Sequence, residues 1–267
     1  MDFDLSAYLA RIGHRPAPPS AAGLAALQAA QLRAIPFENT EPFLGRVPDL
    51  SHGALWQKIV AAGRGGYCLE LNRLFGGALA ALGYAARPIL GRVRMGAPAG
   101  GPRAHLAHVV TLAGRDWLAD TGFGGPGPEH PLRLDTAGAQ DDRLGRFRLR
   151  PDAATGETVL ERATPDGWFA LYGFDAVPVT APDIEAANVV CSRWALSPFP
   201  HHLMLNRVTA DGRVSLFDRQ VSDGEGQRML AGVDDLARVL ATRFALPADT
   251  APALWARLAP EVEGVAA

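Results

Sequence analysis

Cys68 is the side chain best placed to do chemistry. It follows Arg64-Gly65-Gly66-Tyr67 and stands directly before the most regular amphipathic run in the chain. A thiol at a helix N-terminus faces unpaired N–H groups and the positive end of the helix dipole, which favours the thiolate. The two preceding glycines let the backbone turn sharply and come close to a substrate. A thiol nucleophile needs a base, and the base needs a group to orient it. His105 and His108 lie in one strand-like run, and a second run after Ala113-Gly114 ends at Asp120. A two-residue turn would pair Leu112 with Arg115 and set Asp120 diagonally from His105 on one face, with His108 on the other. A three-residue loop would shift the register by one and favour His108.

Other candidates carry less. His201 and His202 are adjacent and lack the spacing of a helical zinc pair, so no metal site is expected. His14, His52 and His130 fall near expected turns. Cys191 lies in an apolar helical run and reads as packing. Arg64 and Glu38 both sit in apolar surroundings, Glu38 within Ile35-Pro36-Phe37-Glu38-Asn39, and are expected to pair and hold the Cys68 loop.

The elements that must position these groups can be read from periodicity and caps. Asp4 caps a short helix ending at Gly13, Ser20 caps one running to Ala34, and Ser51 starts a third that ends at Gly63. Over Leu69 to Leu82, Leu71, Leu74, Phe75, Ala78, Leu79 and Leu82 form one apolar stripe. The first eighty residues therefore read as helical. Short β-like runs follow: Pro88–Met95, His105–Leu112, Arg115–Asp120, Phe147–Arg150, Val159–Ala163 and Trp168–Phe174. Gly96–Pro102 and Gly122–Pro131 read as mobile loops. A helix over Asp183–Trp194, a hairpin at Asp211-Gly212 and a helix over Asp234–Phe244 complete the chain.

Composition narrows the class. Of 267 residues, 48% are hydrophobic and 20% charged, ordinary for a folded globular chain. Lys and Arg number 26 against 28 Asp and Glu, a net charge of −2, which gives no footprint for nucleic acid or an anionic membrane. Met1-Asp2-Phe3-Asp4 lacks the order of a secretory signal, and two cysteines make no disulfide framework, so a reducing, cytoplasmic setting is expected.

The run Arg64-Gly65-Gly66-Tyr67-Cys68-Leu69-Glu70-Leu71-Asn72 resembles the Arg-Gly-Gly-x-Cys-x-Glu-x-Asn pattern of the arylamine N-acetyltransferase family. The likeness extends to Leu5–Gly13, Ile35–Asn39, Pro102-Arg103-Ala104-His105 and Asp120–Gly125, and more loosely to Ser197-Pro198-Phe199. It implies a Cys68, His105, Asp120 triad, and so selects His105 over His108. Two positions depart from the pattern: Thr121 where Val is usual, and His108 where an aliphatic residue is usual. The resemblance also implies an α+β fold: an N-terminal helical bundle over residues 1–84 carrying the nucleophile, a central antiparallel β-barrel over 85–182 carrying His and Asp, and a C-terminal α/β lid over 183–267, with a triad core like that of papain-like thiol enzymes. Phe37 and Phe123 would line an aromatic acceptor pocket, and Gly124 and Gly125 would let CoA pass close to the backbone.

The function implied is ping-pong acetyl transfer from acetyl-CoA, a co-substrate rather than a tightly bound cofactor, to arylamines, arylhydrazines or N-hydroxyarylamines. Partners are thus acetyl-CoA and a small aromatic acceptor. Rival readings are an amide synthase that releases a polyketide chain from a carrier protein, a thiol hydrolase, and a binding protein on the same scaffold.

Overall fold

The computed structural model describes residues 3–258. Met1, Asp2 and residues 259–267, which the sequence reading placed in the helical and lid segments, lie outside that range. The fold is α+β, with every ladder between named strands antiparallel.

Helices α1 (Leu5–Ile12) and α2 (Ala21–Ala34) begin at the expected caps. The Ala7 N–H donates to Asp4 Oδ1 at 3.0 Å and the Gly23 N–H to Ser20 Oγ at 3.0 Å. Gly13, at φ +64°, closes α1 in a left-handed conformation that its missing Cβ permits. The chain then departs from an all-helical reading. Phe37–Glu38 form a two-residue strand, β1, before the short α3 (Thr40–Phe43). Pro36 keeps Ile35 extended, and β1 pairs with residues far along the chain, Phe37 with Asn206 and Glu38 with Leu205. Two buried residues are too few to show an alternation, so no local pattern announces this strand.

Helix α4 (His52–Leu55) passes into a π-helical turn, Trp56–Ala61, where one continuous α-helix was expected. Then α5 (Cys68–Ala81) buries Leu71, Leu74, Phe75, Ala78 and Leu79 on the predicted stripe.

Eight strands form the larger sheet: β2 (Ala85–Val93), β3 (Arg103–Leu112), β4 (Arg115–Ala119), β5 (Leu132–Arg133), β6 (Ala139–Asp142), β7 (Gly145–Asp152), β8 (Glu157–Thr164) and β9 (Gly167–Phe174). Their order is β5-β4-β3-β2-β9-β8-β7-β6, so β5 and β6 are the two ends. The sheet curls until these ends meet. The Gln140 side chain joins them, accepting from the Arg133 N–H at 2.9 Å and donating to the Arg133 carbonyl at 2.9 Å. The result is a nearly closed barrel. Its interior holds Ile89, Ala107, Val109, Leu118, Phe147 and Tyr172.

The β3–β4 hairpin has the register of a two-residue turn. Ala113 and Gly114 both take positive φ (49° and 74°), and Leu112 pairs with Arg115 and His108 with Ala119. Alternation along β3 sends Ala107 and Val109 into the barrel, and Leu106 and Val110 onto the helical core.

After α6 (Ala181–Arg193), a second sheet is built from β10 (Met204–Thr209), β11 (Gly212–Phe217), β12 (Gln220–Asp223) and β13 (Gly226–Met229), with β1 at its edge. Helices α7 (Val233–Arg243) and α8 (Ala251–Leu258) cover it around Leu236, Leu240, Phe244 and Leu254. Helix α6 packs instead with the first helices, through Ile184, Ala187 and Cys191.

The two glycine-rich segments read as mobile loops are tied down. Arg94, with 1% of its side chain exposed, pairs with Asp152 and Glu157 and donates to the Pro98 carbonyl at 2.7 Å, while Arg92 donates to the Gly101 carbonyl at 2.9 Å. In the other, Glu129 is fully buried between Arg33 and Arg143, and Arg213 donates to the Gly127 carbonyl. Arg92 and Arg94 flank the first segment, but Asp152, Glu157, Arg33 and Arg213 come from far along the chain, which is why composition alone read the segments as loose. Among the described residues, no helix is long and apolar enough to cross a membrane.

Candidate active site

Cys68 is the first residue of α5, only 4% exposed, and the barrel rim of β3 and β4 lies against it. His105 and Asp120 are 2% and 7% exposed, and His105 Nε2 is 2.7 Å from Asp120 Oδ2. With Nε2 engaged, Nδ1 is the ring nitrogen left for the Cys68 sulfur, and each of the two groups shifts the ionisation of the other. The imidazole is held edge-on to Phe123, with ring centroids 5.2 Å apart, and tilted against Tyr172 at 4.6 Å. Thiol, imidazole and carboxylate thus come together from α5, from β3 and from the residue that follows β4.

Asp120 accepts from four donors. Oδ1 takes Asn72 Nδ2 at 2.8 Å and the Gly122 N–H at 2.9 Å; Oδ2 takes His105 and the Tyr172 hydroxyl at 3.0 Å. Burial works against its charge, but His105 and these hydrogen bonds outweigh it and hold the carboxyl below its usual range. Burial likewise opposes charge on His105, yet Asp120 lifts its pKa to about 10. The Cys191 thiol and burial push the Cys68 thiol well above its ordinary value, while His105 pulls it the other way. His108 faces away from this group, with Nε2 against Gly76 of α5. Burial lowers its pKa to about 4, keeping it neutral, and its Nδ1 finds no partner among the described residues.

A further layer went unread in the sequence. Asn72, one turn along α5 from Cys68, donates to Asp120 and to the Leu106 carbonyl and accepts from the Thr121 N–H, tying the nucleophile's helix to the barrel rim. Gln28 Oε1 accepts from the Asp120 N–H at 3.0 Å, and Gln31 Nε2 donates to Thr121 Oγ1 at 2.8 Å. The signal was present: Gln28 and Gln31 share the buried face of α2 with Leu24 and Leu27, and amides on an apolar stripe need partners.

Glu38 and Arg64 do pair, at 3.0 Å, with Glu38 fully buried. They belong to a larger cluster than expected. Lys58 reaches Glu70 at 2.8 Å and Glu38 at 3.6 Å, Arg64 also reaches Glu41 at 3.0 Å, and Thr40 donates to Glu38. Glu70 also accepts the Tyr67 N–H at the start of α5. Burial alone would neutralise Glu38, but Lys58 and Arg64 hold it ionised below its usual range. Glu38→Gln is therefore expected to cost about 3–5 kcal/mol, because two half-buried cations lose a fully buried shared counter-charge. An unchanged urea midpoint would count against this role.

Gly122 is the closest point between barrel and nucleophile. A Cβ there would stand 2.9 Å from Cys68 Cα, 3.0 Å from the Cys68 carbonyl oxygen and 2.7 Å from Asn72 Nδ2. Backbone atoms cannot swing aside, so Gly122→Ala must separate the thiol from the imidazole. A displacement near 1 Å costs roughly 100-fold in rate. Steady-state kinetics on a folded variant would measure it, and near-normal kcat would refute the close fit.

A cavity of about 320 Å³ opens over Cys68 and His105. Phe37, Phe123, Gly124 and Gly125 line it, as do Trp194 and Phe199, and among the described residues His105 is its only ionisable side chain apart from the two cysteines. His201 and His202 are elsewhere, the first against the Ala195 carbonyl and the second paired with Asp218 at 2.8 Å.

This fold and site define a thiol acyltransfer scaffold, and comparison with known proteins agrees: the N-acetyltransferase family profile matches residues 21–252. An arylamine N-acetyltransferase / N-hydroxyarylamine O-acetyltransferase of Salmonella typhimurium is 38% identical over 210 residues, covering 78% of this chain and 74% of that one. The structure of Mycobacterium marinum arylamine N-acetyltransferase in complex with CoA superposes with a TM-score of 0.87 at 34% identity, covering 96% and 98% of the two chains. Proansamycin X synthase of Amycolatopsis mediterranei is 35% identical over 252 residues, covering 90% and 96%. The chain belongs to the arylamine N-acetyltransferase family.

Proposed function

We propose that this chain transfers acetyl groups from acetyl-CoA to arylamines, arylhydrazines or N-hydroxyarylamines through an acetyl-cysteine on Cys68. The observation that carries the reading is a buried imidazole with a carboxylate behind it and a thiol before it, at the base of an apolar cavity.

His105 Nδ1 holds the thiol proton while sulfur attacks the thioester carbonyl, and Asp120 keeps Nε2–H in place and stabilises the imidazolium. The backbone N–H at Cys68, at the positive end of α5, faces the developing oxyanion. CoA departs as a thiol with the proton from His105. The amine then attacks the acetyl-cysteine, gives its proton to His105, and Cys68 is regenerated. An apolar cavity without carboxylates or guanidinium groups in its lining suits a neutral aromatic acceptor. Gly124 and Gly125 lie on the cavity wall along which the CoA chain would pass, and their missing side chains make room for the Phe37 and Phe123 rings. We assign the work to the cytoplasm, where acetyl-CoA is at hand and thiols stay reduced.

Mass spectrometry tests both half-reactions. Acetyl-CoA should add one acetyl group to the Cys68 peptide, and aniline- or hydrazide-type acceptors should remove it. No adduct, or an adduct lost equally fast to water alone, would overturn the reading. Phe123→Ala should raise the acceptor KM by about 10- to 100-fold, the worth of one buried aromatic face, and alter CoA binding far less. Equal effects on both would remove Phe123 from the acceptor pocket.

A second reading rests on the likeness to proansamycin X synthase, which covers nearly all of that chain. It makes this protein an amide synthase that draws its acyl group from a carrier protein. Acylation of Cys68 by a carrier-bound polyketide thioester, with acetyl-CoA inert, would favour it.

A further inference from the structure

Cys191 takes no part in the chemistry above, yet it lies beside the nucleophile. Both sulfurs converge on one acceptor: the Ala104 carbonyl oxygen is 3.8 Å from Cys68 Sγ and 3.3 Å from Cys191 Sγ. The two residues come from different helices, α5 and α6, belong to the same buried cluster and line the same cavity. They are also the only two cysteines of the chain. Cys191, ahead of burial, raises the pKa of the Cys68 thiol. The sequence reading took Cys191 for packing; its helical position is as expected, but its sulfur shares a carbonyl acceptor with the sulfur of Cys68.

We propose that Cys68 and Cys191 form an oxidative modification site, in which a small hydroperoxide entering the cavity converts the pair to an intramolecular disulfide. The Cys68 sulfur attacks one peroxide oxygen, the O–O bond breaks, and water or an alcohol leaves, giving a sulfenic acid. The Cys191 sulfur then attacks the sulfenic sulfur, the S–O bond breaks, and the departing hydroxide takes the Cys191 proton as water. Two thiols lose two electrons and the peroxide gains them. The disulfide spares Cys68 the further, irreversible steps to sulfinic and sulfonic acid, and a thiol reductant restores it. The inference goes beyond acetyl transfer and does not need it, since any use of the Cys68 thiol is suspended and preserved in the same way.

The test treats the reduced full-length protein, at low concentration, with hydrogen peroxide, blocks free thiols with N-ethylmaleimide and maps peptides without reduction. The expected product is a Cys68 peptide joined to the Cys191 peptide, lighter than their sum by two hydrogens, on a monomeric chain. Dithiothreitol should then return an alkylatable Cys68. In Cys191→Ser the joined peptide is absent, Cys68 accumulates sulfinic acid, and dithiothreitol does not recover it. Sulfinic acid forming as fast in the parent as in Cys191→Ser, or linkage only between chains, would overturn the proposal. Should Cys191→Ser not fold, the parent protein alone decides by the presence or absence of the intramolecular link. Because the readout is mass, its failure is distinct from a failure of acetyl transfer.

Discussion

Replacing Cys68 with serine should leave a folded protein whose turnover is lower by about four orders of magnitude or more. The change removes almost no volume, and the residue keeps its place at the start of α5. What it loses is acidity. His105 holds its proton up to about pH 10, which marks a base strong enough to share a proton with a thiol but far too weak to ionise an alcohol. Nor can a serine ester replace the thioester as an acetyl donor to a weakly basic aromatic amine. The measurement is steady-state acetylation together with intact mass after acetyl-CoA. An acetylated Cys68→Ser protein, or one retaining more than a few per cent of the rate, would remove sulfur from the mechanism.

Asp120→Asn should be nearly as damaging, by about 10³- to 10⁴-fold in kcat. The reason lies in the four donors that converge on this carboxylate. Asn72 and the Gly122 N–H occupy one oxygen, His105 and Tyr172 the other. A carboxamide has one acceptor end, so its NH2 must face one donor pair whichever way it turns. If it faces His105, the ring is driven to the tautomer with Nε2 as acceptor and Nδ1 protonated, which cannot take a proton from the sulfur. The charge is lost as well, so the His105 pKa falls from about 10 toward its ordinary 6.5. Stability carries the same signature. The depressed Asp120 contributes above the ordinary carboxylate value of 3.8 and loses that contribution as pH drops through its folded value. The raised His105 contributes fully below 6.5 and loses its contribution as pH climbs toward 10. The pair therefore stabilises most between about pH 4 and 6.5, and urea midpoints of the parent should decline from pH 6.5 to 9.5. In Asp120→Asn that decline should disappear; a parallel decline in both proteins would show that it originates elsewhere.

What the sequence disclosed followed from how local the evidence was. The stripe on α5, the glycines before Cys68 and the Ala113-Gly114 turn are short-range features, and they fix both the nucleophile's helix position and the strand register. Even so, the register depended on a turn length that residues alone left open; the hairpin leaned toward His105, and the family likeness selected it over His108. The less legible parts join segments far apart. Phe37–Glu38 becomes a strand only because Leu205 and Asn206 are there to pair with it. Lys58 enters the charge cluster from a π-helical turn that no periodicity indicated, and meets Glu70 of α5 there. Cys191 shows the limit most clearly: the apolar helix that makes it look inert is the same helix that brings its sulfur to the nucleophile.

The carboxamide of Gln140 carries one donor and one acceptor, the same pair that a peptide unit offers. By engaging both with Arg133, it acts as an extra rung where the backbone ladder runs out. The barrel therefore meets itself at that seam through a side chain engaged with the β5 backbone. A foreign strand that would otherwise find a template there meets a polar side chain already engaged.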